Sequence, residues 1–462
     1  SGTSVCLCPT TERDLADDDL GMLLDRTDGW AVGLQLAAIS LRHHPDPAAF
    51  IASFAGNDRF VAEYLLQEVI EHLDADVRRF LLHTSMLEWL SADLCDAVTG
   101  TGDGRAMLRK LGDQSLFLIP LDRSGELFRY HHLFADLLVY ELRVEDPGAA
   151  DGLHRRAAQW FLDQARPEEA IGHLLAAGDH TNAFRVISEV GHVLYERGEA
   201  ATLVGWLSTI RAKQPEVPAA LEVSLLAAQL AVDQPGDVAE THRRLMRRPE
   251  LTLGERTAAN ALYTMLAFRD QQPRNVLRVA AEVRDAIPRL GPNDVVDFLG
   301  IGGIASAQVM AEYGAAGAYF LDGDLSRATS ALEHVLTLPG TDYPVWKVYV
   351  LGTNALVRAW SGHCAEALRV ARSAMETARV FGIPHHHATT HAHLAAALAH
   401  LDRAEPEPAA VHLEESGRQV QARVASVTYF DLQRSLEARL AALADGPTHA
   451  LGMPWAPSSS AS

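Results

Sequence analysis

The sequence predicts an all-α protein broken by a single β-hairpin, with a helical repeat array filling its second part. Three observations predict this. Apolar residues recur at three- and four-residue spacing, and Gly or Pro punctuates the runs at helix-length intervals. One short segment departs from that period with two apolar runs around a Gly-containing turn. Beyond about residue 151, a turn of the form G-x4-A that opens a helix comes back several times.

In chain order, residues 1–57 read as helical. Helices follow near Asp58–Leu73, Ala75–Thr84, Ala92–Val98 and Arg105–Gln114. Leu116–Leu121, the turn Asp122-Arg123-Ser124-Gly125, and Glu126–Tyr130 form the hairpin, because a four-residue polar turn with glycine joins two short apolar runs. A further helix is expected from His131 to about Leu142. Helices, then a hairpin, then a helix is the order of a winged-helix domain, placed at residues 58–150.

The repeat turns are Gly178 with Ala183, Gly323 with Ala328, and Gly362 with Ala367; Ala404 with Ala409 is a fourth copy without the glycine. Glycine suits the left-handed residue that ends a helix, and a small alanine five residues on lets the next helix pack closely. Leu325, Ala328, Leu332 and Val335 form one stripe. Cys364, Ala367, Leu368, Ala371, Met375 and Ala378 repeat it one unit later. Helical hairpins of this size bury their faces only by stacking, so residues 151–445 are expected to form a tetratricopeptide-like α-superhelix. The Pro-, Ser- and Gly-rich stretch 446–462 reads as a linker or disordered tail.

Charge narrows the functional classes. The 462 residues include 40 basic and 60 acidic side chains, a formal charge of -20, which opposes direct binding to DNA or an anionic membrane. Lysine occurs only as Lys110, Lys213 and Lys347, none behind the glycines of a phosphate-binding P-loop. Four cysteines do not make a disulfide framework and the first residues are no secretion signal, so a cytoplasmic setting is expected. The apolar stretch Phe298–Ala311 is too short to span a bilayer and reads as a buried helix. No motif of a hydrolase or metallopeptidase is present, so no catalytic residue is assigned and the chain is expected not to be an enzyme.

Two clusters are candidates for binding. His385, His386, His387, His391 and His393 fall within nine residues, and His387 and His391 share a helical face. That spacing is open to metal binding, to a polar groove lining or to solvated histidines; lacking a third ligand nearby, no metal site is assigned. Tyr313, Trp346, Lys347 and Tyr349 lie where the first helices of the repeats should line a groove, and with His387 and His391 they are the candidate ligand-binding residues. Phe320 and Trp360 read as core.

The strings TDGWAVGLQLAA (Thr27–Ala38), RFVAEYLLQEVI (Arg59–Ile70), LLHTSMLEWLSADLCDAVTG (Leu81–Gly100), FRYHHLFADLL (Phe128–Leu138) and LHRRAAQWF (Leu153–Phe161) resemble the large LuxR-type transcriptional regulators typified by the bacterial maltose regulator. The resemblance implies a signal-transduction ATPase with a nucleotide module, a winged helix, a tetratricopeptide-like sensor and a C-terminal DNA-binding module. This chain would hold the winged-helix and sensor parts, next to a missing ATPase module, and would need no cofactor of its own. ATP or ADP would bind in the intact parent, where the resemblance gives His131 a contact to the β-phosphate of ADP and places Gly29, Trp30 and Ala31 against adenine. His132 and Ala31 depart from the family's Asp and Pro at those motifs. Read without the family, His131 caps the helix after the hairpin and Trp30 is core. The expected role is to receive a small-molecule inducer or regulatory protein, with self-association open, and to relay that state. The alternative is a standalone helical-repeat scaffold for protein partners.

Overall fold

The computed structural model describes residues 21–24, 27, 34, 37, 51, 70, 73–113, 117–214, 216–232, 235–268, 273–291, 294, 303–421 and 427–444. Of the expected helix 58–73 only residues 70 and 73 are among them, and almost all of the 1–57 segment and the whole 446–462 tail lie outside. The chain divides into two compact units, Ser1–Ala183 and Phe184–Ser462.

The first unit contains α1 (Ala75–Thr84), α2 (Ala92–Thr99), α3 (Gly104–Asp113), β1 (Leu118–Pro120), β2 (Phe128–Tyr130), α4 (His132–Glu145), α5 (Ala149–Asp163) and α6 (Pro167–Ala176). β1 and β2 pair antiparallel, with Leu118 opposite Tyr130 and Pro120 opposite Phe128. Asp122 fixes the turn by accepting from the backbone of Glu126 and Leu127 at 3.1 and 3.2 Å. Leu90 adds a bridge to Phe128, so the hairpin is anchored to the segment before α2. Ser91 caps α2 through the Leu94 amide, and Gly100 ends it in the left-handed region. Leu81, Leu90, Leu94, Leu111, Phe134 and Leu137 form the core beneath the hairpin. This is the winged-helix arrangement that the element order predicts.

α5 and α6 pack onto that domain. The Trp89 ring meets Trp160 and Phe161 edge-on at 5.8 Å each, and the Arg166 guanidinium lies 4.9 Å over Trp89. Arg156 donates to the carbonyl of Val98. The first compact unit runs through Ala183 and so holds α5 and α6 together with the winged helix.

The second unit continues from α7 (His180–Arg197), which straddles the division, through α8 (Ala200–Lys213), α9 (Ala219–Ala231), α10 (Pro235–Met246), α11 (Leu253–Thr264), α12 (Pro273–Ala286), α13 (Ile304–Leu321), α14 (Leu325–Val335), α15 (Pro344–Trp360), α16 (Cys364–Val380), α17 (Thr390–Asp402), α18 (Pro406–Gln421) and α19 (Val427–Ala444). First helices of successive hairpins, such as α11 and α13 or α15 and α17, pack on one another. They are buried round most of their circumference, as in α13 from Val309 to Ala318. Second helices bury one stripe; in α16 it is Ala367, Val370, Ala371, Ala374 and Ala378. Two layers of helices result, as a stacked repeat requires. Phe320 and Trp360 meet edge-on at 6.0 Å, inside the packing.

The repeat turns do what their residues suggest. Gly178, Gly323 and Gly362 take φ of 67°, 82° and 80°, and Ala404 takes the same conformation at 57°. Each closes its helix with a paired set of backbone bonds, as where His363 and Gly362 donate to Arg358 and Ala359. Ala183, Ala328, Ala367 and Ala409 are fully buried. Among the described residues, no helix is long and apolar enough to cross a membrane.

Candidate functional site

Three first helices, α13, α15 and α17, bring together most of the candidate groove residues. Tyr313 of α13 places its hydroxyl 2.7 Å from Thr353 Oγ1 of α15. That oxygen lies 2.5 Å from His391 Nδ1 of α17. All three side chains are buried. A hydroxyl carries one proton, so the chain runs one way: Tyr313 donates to Thr353 and Thr353 to His391, or the reverse with Nδ1 protonated.

Close helix approach makes this contact. A Cβ at position 352 would stand 3.0 Å from the Ala392 nitrogen and 3.2 Å from His391 Cβ. Glycine at 352 therefore lets α15 and α17 approach closely enough for Thr353 to reach His391.

An aromatic wall runs from the buried chain toward the surface. The Trp346 ring lies 6.3 Å from Tyr313 and 6.0 Å from Tyr349, and Tyr349 meets His387 edge-on at 5.5 Å. His387 in turn lies 4.0 Å from His386. Trp346 is buried, while Tyr349, His386 and His387 are partly exposed and form the rim. Lys347, next to buried Trp346 on α15, is exposed to solvent. His387 sits in a short 3-10 turn, His387–Thr389, and His391 in the first turn of α17, so the two do not share one continuous α-helical face. His387 meets Tyr349 and His391 meets Thr353, both residues of α15, and among the described residues no three His, Cys, Asp or Glu side chains converge to hold a metal ion. Thr353 belongs to the chain but carries no signal in the sequence, since one threonine in an apolar helix reads as packing.

In the first unit, His131 stands at the N-terminal boundary of α4, but its side chain makes no cap bond. Its ring is buried, with Nε2 2.8 Å from the Thr27 carbonyl and the Phe117 ring edge-on at 6.2 Å. A carbonyl oxygen only accepts, so Nε2 carries the proton. The capping role read from the sequence is replaced by a long-range bond to the segment before the winged helix. Gly29, Trp30 and Ala31 lie outside the described residues.

Residues 66–150 match the model of the MalT winged helix domain. The serine/threonine-protein kinase PknK of Mycobacterium tuberculosis is 31% identical over 265 residues, which is 57% of this chain and 23% of the kinase. The HTH-type transcriptional regulator MalT of Serratia proteamaculans is 32% identical over 59% of this chain and 31% of the regulator. MalT of Klebsiella pneumoniae subsp. pneumoniae is 43% identical over 35% of this chain and 18% of its own length. The chain thus spans less than a third of these curated relatives. A STAND protein with a tetratricopeptide repeat sensor from Pyrococcus horikoshii has a similar fold, with a TM-score of 0.52 and 11% identity over 93% of this chain and 60% of that one. Residues 66–150 are similar to the MalT winged-helix family, and the chain that carries them resembles the MalT-like regulators.

Proposed function

We propose that this chain is the signal-receiving region of a MalT-like regulator. It takes up an inducer or a regulatory protein on the α13–α15–α17 cluster and passes the occupied state on through the winged helix. One observation carries the reading: a MalT-type winged helix stands in the same chain as a repeat array in which Tyr313, Thr353 and His391 link three successive hairpins by hydrogen bonds. Buried polar links between packed helices have few alternative arrangements, so a ligand that re-pairs one of them shifts helices rather than a single side chain.

The relatives support a region that is indifferent to output. One is a kinase and another a transcriptional regulator by name. The part they have in common with this chain is therefore better suited to receiving a signal than to phosphoryl transfer or DNA reading, and the chain itself acts without catalysis. Where a nucleotide module accompanies the winged helix, His131 couples to it in this reading, which its long-range bond to Thr27, 104 residues away, supports.

Thermal stability of the chain against a panel of sugars, aromatic metabolites and nucleotides tests this. A ligand at about a hundred times its Kd adds roughly 2.7 kcal/mol to stability. Tyr349→Ala and His387→Ala, which alter the rim, should weaken that gain at least tenfold in apparent Kd. Equal binding by both variants would remove this cluster as the site, and no response to any small molecule would favour the scaffold reading.

A further inference from the structure

Two hairpins in different units are copies of one sequence. His154–Leu174 in α5–α6 and His393–Leu413 in α17–α18 share the pattern H-x2-A-A-x3-L-D-x-A-x-P-E-x-A-x2-H-L. Packing and turn chemistry account for most of it. Ala157, Ala158 and Ala170, with Ala396, Ala397 and Ala409, are buried at helix contacts. Ala165 and Ala404 take the left-handed turn at φ 55° and 57°. Pro167 and Pro406 start the second helices, each followed by an acid at the helix N-terminus.

The two histidines remain. In both copies they face each other across the hairpin: His154 Nδ1 is 2.8 Å from His173 Nδ1, and His393 Nδ1 is 3.1 Å from His412 Nδ1. Ring centroids are 5.1 and 5.3 Å apart, with interplanar angles of 44° and 49°. A third ring stacks on the second histidine at the same position of each copy, Phe161 on His173 and His400 on His412. The neighbouring hairpin α15–α16 has Leu351 and Val370 at the positions equivalent to the pair, counted from its turn at Gly362. An apolar pair therefore satisfies the packing at this place, and the histidines answer some other requirement.

The centroid separations are close to the largest that these nitrogen distances permit, so each pair of nitrogens lies on the line between its ring centres. Lone pairs aimed at each other in this way do not converge on a shared metal ion. They make an N–H···N hydrogen bond, which needs one of the two nitrogens to be unprotonated.

We propose that the α5–α6 and α17–α18 hairpins are acid-released latches: each His–His bond closes its hairpin while at most one of the two rings is an imidazolium, and acidification opens these two hairpins ahead of α15–α16. Burial pushes His173 and His393 down to about 4, with the facing histidine adding to the shift. His154 is lowered mainly by burial, and His412 by burial and then by His400. Among the described residues, Asp151, Arg143 and Glu169 act on the first pair. His400, Glu415, His385 and Arg418 act on the second, and His400 is itself paired with Glu405 at 2.7 Å.

For bases whose closed-state affinity is depressed, the open hairpin binds more protons. Closure is therefore fully favoured above the ordinary histidine value and is lost progressively as pH falls from about 6.5 toward 4.

Hydrogen exchange of the full chain at pH 7.5 and 5.5, corrected for the intrinsic pH dependence of exchange, reads this hairpin by hairpin. Opening of α17–α18 and α5–α6 should rise about tenfold or more while α15–α16 stays within about threefold, since one unit of pKa difference is a factor of ten. His393→Leu with His412→Val, copying α15–α16, should abolish the response in α17–α18 and leave it in α5–α6. Equal responses in all three hairpins would overturn the proposal, as would zinc protecting the two hairpins at pH 7.5. Side-chain NMR gives an independent reading: His173 and His393 should stay neutral well below pH 6, and titration of both near 6.5 would also overturn it.

Discussion

Ala404 performs a glycine's task with a side chain attached. Its φ of 57° lies in the left-handed region, which costs a non-glycine residue about 1–2 kcal/mol, against roughly 1 kcal/mol of extra unfolded-chain entropy that glycine would bring. Ala404→Gly should therefore raise stability slightly, by about 0.5 kcal/mol, visible as a higher urea midpoint for the second unit. Gly362→Ala, at φ 80° with open space around it, should lower stability by about 1 kcal/mol through strain alone. A different mechanism governs Gly352, where the added methyl meets the α17 backbone. Gly352→Ala should separate α15 from α17, break the Thr353–His391 bond and cost about 2 kcal/mol or more. If Gly352→Ala and Gly362→Ala have equal effects, the close approach is not what holds this cluster together.

Charged links between helices show what sequence periodicity leaves out. Glu312 is buried on α13, and Arg284 of α12 grips both its oxygens at 2.8 Å. Arg284→Met would strand a buried carboxylate and should cost about 2–3 kcal/mol, while the double variant with Glu312→Leu should recover most of that loss. Failure of the second substitution to recover stability would mean that Arg284 acts by packing alone. The two residues are 28 apart, and nothing in their spacing announces the pair.

Elements themselves were largely legible. α1, α2 and the hairpin lie where three- or two-residue periodicity and the Asp122–Gly125 turn put them, because each buries one face. First helices such as α13 and α17 are buried nearly all round, so their sequences show no preferred face and the inward residues could not be told from the rest. Lys347, next to Trp346 in the chain, lies about 100° round the helix from it and is exposed where Trp346 is buried. The G-x4-A pattern extends to the Ala404 turn of α17–α18 but does not reach its match in α5–α6, where Ala165 stands in the glycine's place. Bonds such as Tyr313–Thr353 and His131–Thr27 join residues 40 and 104 apart, which local pattern cannot encode.

At the scale of the whole molecule, the chain holds two compact units whose stabilities have different origins. The first depends on a single winged-helix core closed by the Trp89, Trp160, Phe161 and Arg166 stack. The second is a stacked array in which each hairpin chiefly contacts its neighbours, so its stability is close to a sum of local terms. A chain of this kind departs from all-or-none unfolding, and calorimetry should resolve more than one transition. Trp89→Ala removes the ring on which the α5–α6 hairpin and the Arg166 guanidinium rest; it should cost about 3–5 kcal/mol in the first unit. Leu356→Ala, in the buried contact of α15 with its neighbours, should cost about 2–5 kcal/mol in the second. Each substitution should move one transition down by several degrees and leave the other within about one degree, because sites that share no partner contribute independently. Joint movement of both transitions in either variant would show instead that the two units unfold as one cooperative block, and that a signal bound in the repeats reaches the winged helix through shared stability.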